Sequence, residues 1–317
     1  MGRRCRCGIP ARDRRAPCSR VPTSASCCTE SCRWAEKDSL DRWSGLRTNH
    51  CPCWTAPRVR SSRRCAGAAY PAAMPRRSPE DLAALRDRVD ISVYAHQYLR
   101  GRRDTARYAS FDYCFNYFQA FHDDGRAPAL VEPRQLEMSC LQLGFYLASW
   151  GMFRGRAALL QHSVKSLEPV VRVVAHAPEA VWRADADDYS PPVETAMIKM
   201  YRELSANLPG GRSQTLVTKT MLGAFGCVPA FDRYFRESFA TATFGPKSLG
   251  GLEAYYQANA KAIDAFRVAT IDFATGTDTH RRYTRAKVID MVFFTKGLNP
   301  DPPSQAGERL SEPAGNH

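Results

Sequence analysis

Cysteine is scarce beyond residue 65. Nine of the twelve cysteines lie at or before Cys65, leaving Cys114, Cys140 and Cys227 for the rest of the chain. No pair anywhere has C-x-x-C spacing and no histidine follows at finger distance, which excludes the common zinc knuckles and ribbons. H-E-x-x-H, an EF-hand loop, a P-loop, G-x-G-x-x-G and G-x-S-x-G are also absent, so no motif implies a metal, a cofactor or a phosphate cradle. The longest apolar stretch, "SCLQLGFYLASWGMFRG" at 139–155, carries Gln142 and Ser149 and is shorter than the roughly 20 residues a bilayer span needs. Strand-like alternation is almost missing; "VVRVV" at 170–174 reads equally as strand or helix. Lysine is rare, 8 residues against 37 arginines, as GC-rich coding produces.

The charge is unevenly placed. Of the net +13, residues 1–73 contribute +10, with 15 Lys and Arg against 5 Asp and Glu, and residues 74–317 only +3. The basic character therefore belongs to the N-terminal segment. That segment is rich in Arg, Cys, Ser and Pro and has almost no Ile, Leu or Val from which to build a core. Residues 1–73 are expected to be a disordered or spurious N-terminal extension, with Met74 a plausible start; the alternative is a basic arm that binds nucleic acid or metal. Met1-Gly2-Arg3-Arg4 has no apolar run behind it, so no secretory signal is read and a cytoplasmic location is expected.

From Met74 the text becomes helical. Ser78-Pro79-Glu80-Asp81 has the order of a helix start, with a helix continuing toward Tyr98. "FDYCFNYFQAF" at 111–121 predicts a helix buried on more than one side, and 139–155 a core helix with Gly144, Gly151 and Gly155 allowing close approach. "AALLQHSVKSLEPVV" predicts a helix perturbed at Pro169, residues 176–193 an acidic, proline-rich loop, and "ETAMIKMYRELSANL" a helix stopped by Pro209-Gly210-Gly211. The last helices are read over 252–273 and 279–297, and 299–317 as a disordered tail. The expected fold is all-α: one domain of about seven to nine helices over 74–298.

Several residues are candidates for chemistry. Cys114, Cys140 and Cys227 sit in apolar helical text, where buried thiols are the rule, and His162 is expected to be a core histidine rather than a base. The aromatic run 111–121 is core or a ligand-stacking surface, and Asn116 and Gln119 within it need partners if buried. Arg281, Arg282 and Arg285 are read at the start of the last helix. Cations there oppose the helix dipole, a cost that phosphate binding would offset; the alternative is a solvated face with acids nearby.

The stretch "LPGGRSQTLVTKTMLGAFGCVPAFDRYF", 208–235, resembles the core of the helix-hairpin-helix DNA glycosylase superfamily. Leu208-Pro209-Gly210 is similar to its hairpin turn and Pro229-Ala230-Phe231-Asp232 to its Pro-x-x-Asp step. The resemblance implies phosphate binding by backbone N–H groups at Gly210, Gly211 and Arg212, and a catalytic Asp232 whose carboxylate stabilises a sugar oxocarbenium ion or activates water. Gln214 stands where the lysine of lyase-active members is found, so lyase chemistry is not implied, and no iron–sulfur cysteine set follows. Read without the resemblance, Asp232 is the cap of its own helix. A broader pattern, "DYCFNYFQAF", "SCLQLGFYLASWGMFRG" and "AKVIDMVFFTKG" together with this stretch, resembles a group of bacterial helical proteins with no assigned function.

Three classes of function follow. The first expectation is a non-catalytic module that binds protein or nucleic acid. The alternatives are a glycosylase-like enzyme or lesion binder using Asp232, and a small-molecule-binding protein using the aromatic helix.

Overall fold

The computed structural model describes Arg86, residues 88–210 and residues 213–300. All of these belong to the second of two compact units, Ala73–His317. The expectations for 1–73, for Ser78–Asp81, for the tail from 301 and for Gly211 and Arg212 lie outside the described residues. The fold is mostly helical, with 63 % of the described residues in helices and little strand. Ten α-helices are present among the described residues: α1 (Ile91–Arg100), α2 (Ala109–Asp123), α3 (Leu136–Ser149), α4 (Glu168–Ala175), α5 (Glu179–Trp182), α6 (Pro191–Asn207), α7 (Gln214–Phe225), α8 (Arg233–Ser238), α9 (Pro246–Ala265) and α10 (Arg285–Leu298). Two of them, α5 and α8, are only four and six residues long. Among the described residues no helix is long and apolar enough to cross a membrane.

Helices α7 and α10 form the centre. Every residue from Leu216 to Phe225 and from Ala286 to Thr295 is buried, the pattern of helices surrounded on all sides. Their ends are fixed by side chains. Ser213 Oγ accepts from Leu216 N at the start of α7, and Thr284 Oγ1 accepts from Lys287 N at the start of α10. The buried Asp185 carboxylate, from the loop before α6, adds bonds from Arg285 N (2.9 Å) and Ala286 N (2.8 Å). Helix α7 ends at Gly226, whose φ of +67° only glycine adopts easily; a Cβ there would lie 2.8 Å from Phe115 and 2.9 Å from Thr284.

Several sequence expectations are corrected. Helix α1 begins at Ile91 because the Asp90 carboxylate caps Ser92 N and Val93 N; residues 89 and 90 are not helical, so no single helix reaches Tyr98 from Ser78. The helix expected around Pro169 is two short 3₁₀ turns, Ala158–Gln161 and Val164–Leu167, followed by α4 with proline in its first turn. "VVRVV" lies in α4 and is helical. The acidic segment 176–193 holds α5 and a small antiparallel bridge, Asp185 with Asp188. Helix α3 stops at Ser149, so Gly151 and Gly155 serve positive-φ turns and only Gly144 packs, against Val164. His162 is exposed.

The largest correction concerns 266–284. Helix α9 ends at Ala265, and the chain forms an antiparallel hairpin of β1 (Ala269–Ile271) and β2 (Asp278–Arg282), with Ala269 opposite Arg282 and Ile271 opposite Asp278. Its turn is fixed by Asp272 Oδ1, which accepts from Ala274 N, Thr275 N and Thr275 Oγ1. The hairpin is held to α2 by a fully buried carboxylate. Asp112 accepts from Arg102 Nε (2.8 Å), Tyr283 Oη (2.6 Å) and Ile271 N (3.1 Å). Asn116 adds Nδ2 to Ile271 O at 2.9 Å and accepts from Thr270 Oγ1.

Candidate functional site

Asp232 is the N-cap of α8. Its Oδ1 accepts from Phe235 N at 3.0 Å, and its Oδ2 lies 3.5 Å from Lys219 Nζ. Lys219, on α7, also donates to Trp150 O at 3.1 Å. A second pair adjoins on α10: Lys287 Nζ lies 2.8 Å from Asp290 Oδ2, and Asp290 Oδ1 accepts from Ala230 N. The Lys287 ammonium is ringed by Phe111 (4.6 Å), Tyr98 (4.9 Å), Trp150 (5.6 Å) and Tyr283 (6.0 Å), each adding cation–π attraction. Burial pushes the Asp232 carboxyl up from the ordinary range, opposed by Lys219. Burial also pushes the Lys219 amine down, opposed by Asp232. At Lys287 burial is the largest single effect and acts in the same lowering direction, but the Asp290 charge, Tyr98 and the hydrogen bonds to both together outweigh it and hold the ammonium above the usual lysine value.

All four groups, with Tyr146 and Trp150, line one internal cavity of about 10 Å³, roughly the space one water centre needs. A deoxyribose has no room there. Sequence reading found Asp232 and missed its three charged neighbours. The signal was a lone lysine inside "TLVTKTMLGAFG" and a Lys–Asp pair three apart inside "AKVIDMVFF", both otherwise apolar.

The other candidate residues are scattered. Gly210 is exposed with φ +64° and packs its α-carbon side against Ala158. Arg281 and Arg282 lie on β2 and not in the last helix, so their side chains leave opposite faces of the strand. Arg281 Nη2 pairs with Asp123 at 2.6 Å and Nη1 reaches Asn116, while Arg282 Nη1 donates to Arg267 O at 2.9 Å. Arg285 opens α10 surrounded by three acids: Asp187 (3.1 Å), Asp264 (3.1 Å) and Asp185 (3.5 Å). The structure therefore does not gather Arg281, Arg282 and Arg285 into one cationic surface. Of the polar residues in the aromatic helix, Asn116 serves the hairpin and Gln119 donates to Ala224 O at 3.1 Å, so protein groups satisfy both.

A trough between α2, α3 and the hairpin has the character of a binding site. Helix α3 presents Met138, Leu141 and Phe145 at i, i+3 and i+7, exposed by 45 %, 41 % and 66 %. Phe273, at the hairpin turn, is 79 % exposed and packs edge-on to Tyr113 at 5.0 Å. Leu141, Phe145, Tyr113 and Phe273 line a cavity of about 910 Å³, rimmed by Asp104 and Arg107. A second cavity of about 620 Å³ continues along α2 past Asn116 and Tyr117 toward Asp272 and Asp278. Tyr113, Gln142, Phe273 and Thr275 line both, so the two are halves of one trough. Three large apolar side chains from two elements, Leu141, Phe145 and Phe273, left in solvent around one concavity, are uncommon on an isolated surface. Sequence reading missed this because Phe273 and Phe145 are 128 positions apart and were both placed in helices.

Comparison with protein-family models, with curated proteins and with solved structures gives no match. The fold and the trough define a helical domain with an open apolar groove under a β-hairpin.

Proposed function

We propose that this domain is a non-catalytic binding module that takes a protein segment in the trough between α2, α3 and the hairpin. The observation carrying this reading is the outward-facing set Leu141, Phe145 and Phe273 around a cavity of about 910 Å³, a size suited to several side chains. The electrostatics favour protein over nucleic acid. Residues 74–317 carry a net charge of only +3, and Arg281 and Arg285 are engaged by carboxylates. The enclosure of Asp232 among Lys219, Lys287 and Asp290 favours a structural role for that acid over base excision.

The test is selection from a phage-displayed random dodecapeptide library on the full chain. Selected peptides should lose at least tenfold in affinity on Phe145→Asp and Phe273→Asp, and keep it on Lys199→Glu, a change on the exposed face of α6. Peptides indifferent to the trough substitutions would refute the reading. So would tight, salt-dependent duplex DNA binding that survives Phe145→Asp.

A further inference from the structure

We propose that the trough selects an extended peptide bearing a tryptophan or tyrosine anchor and, within two or three residues of it, an arginine or lysine. The inference rests on the protein-binding reading above and deepens it. In the half formed by Leu141, Phe145 and Phe273, the apolar walls suit an aromatic ring. Its floor carries Ser110, 3 % exposed, whose hydroxyl has no hydrogen-bond partner among the described residues. A buried hydroxyl left unpaired is costly, and the polar edge of an indole or phenol would satisfy it where a phenylalanine could not.

The other half is acidic. Asp272 Oδ1 is occupied by three donors of its own turn, while Oδ2 has no hydrogen-bond partner among the described residues and is left for a ligand. Those bonds also hold its carboxyl below the usual range, so it is charged at neutral pH. Asp278 is exposed on β2 and forms no ion pair among the described residues. His280, lining this half, is exposed, and the Arg281 guanidinium there is committed to Asp123 and Asn116. A cation on the ligand is what this half lacks. The trough's carboxylates, Asp104, Asp272 and Asp278, outnumber its arginines, Arg107 and the Asp123-paired Arg281, so a phosphodiester would meet net like charge, which argues against an oligonucleotide.

The two halves meet at Phe273, which directly follows Asp272 in sequence, so anchor and cation must be near neighbours on a chain rising about 3.3 Å per residue. Gln142 lies at the junction, its Nε2 held among the described residues only by Met138 Sδ at 3.8 Å, and so is placed to bond the passing peptide backbone.

The experiment sequences the peptides selected from the dodecapeptide library and measures them by fluorescence polarisation against three variants. Trough-dependent peptides should be enriched in Trp or Tyr beside Arg or Lys. Asp278→Asn should weaken them by about fivefold, and Asp278→Lys should shift preference to versions with Glu in place of the basic residue. Ser110→Ala should narrow the preference for Trp or Tyr over Phe. Peptides that need Phe145 but show no basic residue, or no response to Asp278→Asn and Asp278→Lys, would overturn this inference while leaving the protein-binding reading intact. A library with no Phe145-dependent binder would overturn that reading itself. An oligonucleotide that displaces the selected peptides from the wild type would overturn the proposed charge selection.

Discussion

Replacing Asp232 by asparagine separates its structural role from a chemical one. Asparagine still caps α8, because its side-chain oxygen can accept from Phe235 N as the carboxylate does at 3.0 Å, so little cap energy is lost. What disappears is the negative charge 3.5 Å from the Lys219 ammonium, on a side chain only 6 % exposed. Removing one member of a buried ion pair costs about 3–5 kcal/mol because the partner is left uncompensated. Here Lys219 keeps Trp150 O and the neighbouring Asp290, so we expect the lower end, about 3 kcal/mol. In a domain of this size about 1 kcal/mol moves Tm by roughly 2–4 °C, which gives a drop of roughly 6–12 °C by circular dichroism. Lys219→Met alone should also destabilise, since it leaves Asp232 unpaired. The double variant Asp232→Asn/Lys219→Met should recover to within about 1 kcal/mol of wild type, because neither charge is then buried alone. A double variant no more stable than the worse single variant would refute the coupling. If Asp232→Asn left Tm unchanged yet abolished base excision from uracil-, oxoguanine- or alkyl-containing duplexes, the carboxylate would be catalytic.

Asp112→Ala strips the acceptor from Arg102, Tyr283 and Ile271 N at once and should cost about 3–5 kcal/mol, with limited proteolysis opening the hairpin turn at 272–277 first; uniform resistance there would show that other contacts hold the hairpin. Gly226→Ala should destabilise by at least about 2 kcal/mol in chemical denaturation, from positive-φ strain and the approach to Phe115 and Thr284. Burial pushes the Tyr98 hydroxyl up to about 12 from its ordinary 10. A pKa raised on folding gives stability that is present below pH 10 and lost as pH rises toward 12. Wild type should therefore lose on the order of 2 kcal/mol relative to Tyr98→Phe across that window, and parallel pH profiles would contradict the shift.

The helical class, the helix–break–helix pattern of 215–235 with Pro229 in the break, and the capping alternative for Asp232 were all legible, because each is written in local periodicity and cap chemistry. The hairpin was not. Its strands are three and five residues long, too short for alternation to register, and they depend on Asp112 and Asn116 from α2 for their edge bonds. The fate of the arginines was hidden for a related reason. Arg285 looked free beside its sequence neighbours, yet its acids come from positions 185, 187 and 264. The trough exists only once the 272–277 turn is laid beside α3, a juxtaposition that no window of sequence contains.

Trp150 occupies an informative place in this architecture. Its indole lies 5.6 Å from both Lys219 Nζ and Lys287 Nζ, while Trp182, elsewhere in the fold, stacks on His122. A positive charge fixed beside an excited indole shifts its emission energy. The protein thus carries a built-in optical gauge of its inner charge balance: each substitution at Lys219 or Lys287 should change the colour of Trp150 fluorescence before the chain unfolds, read as a difference spectrum in which Trp34, Trp43, Trp54 and Trp182 are common to variant and wild type.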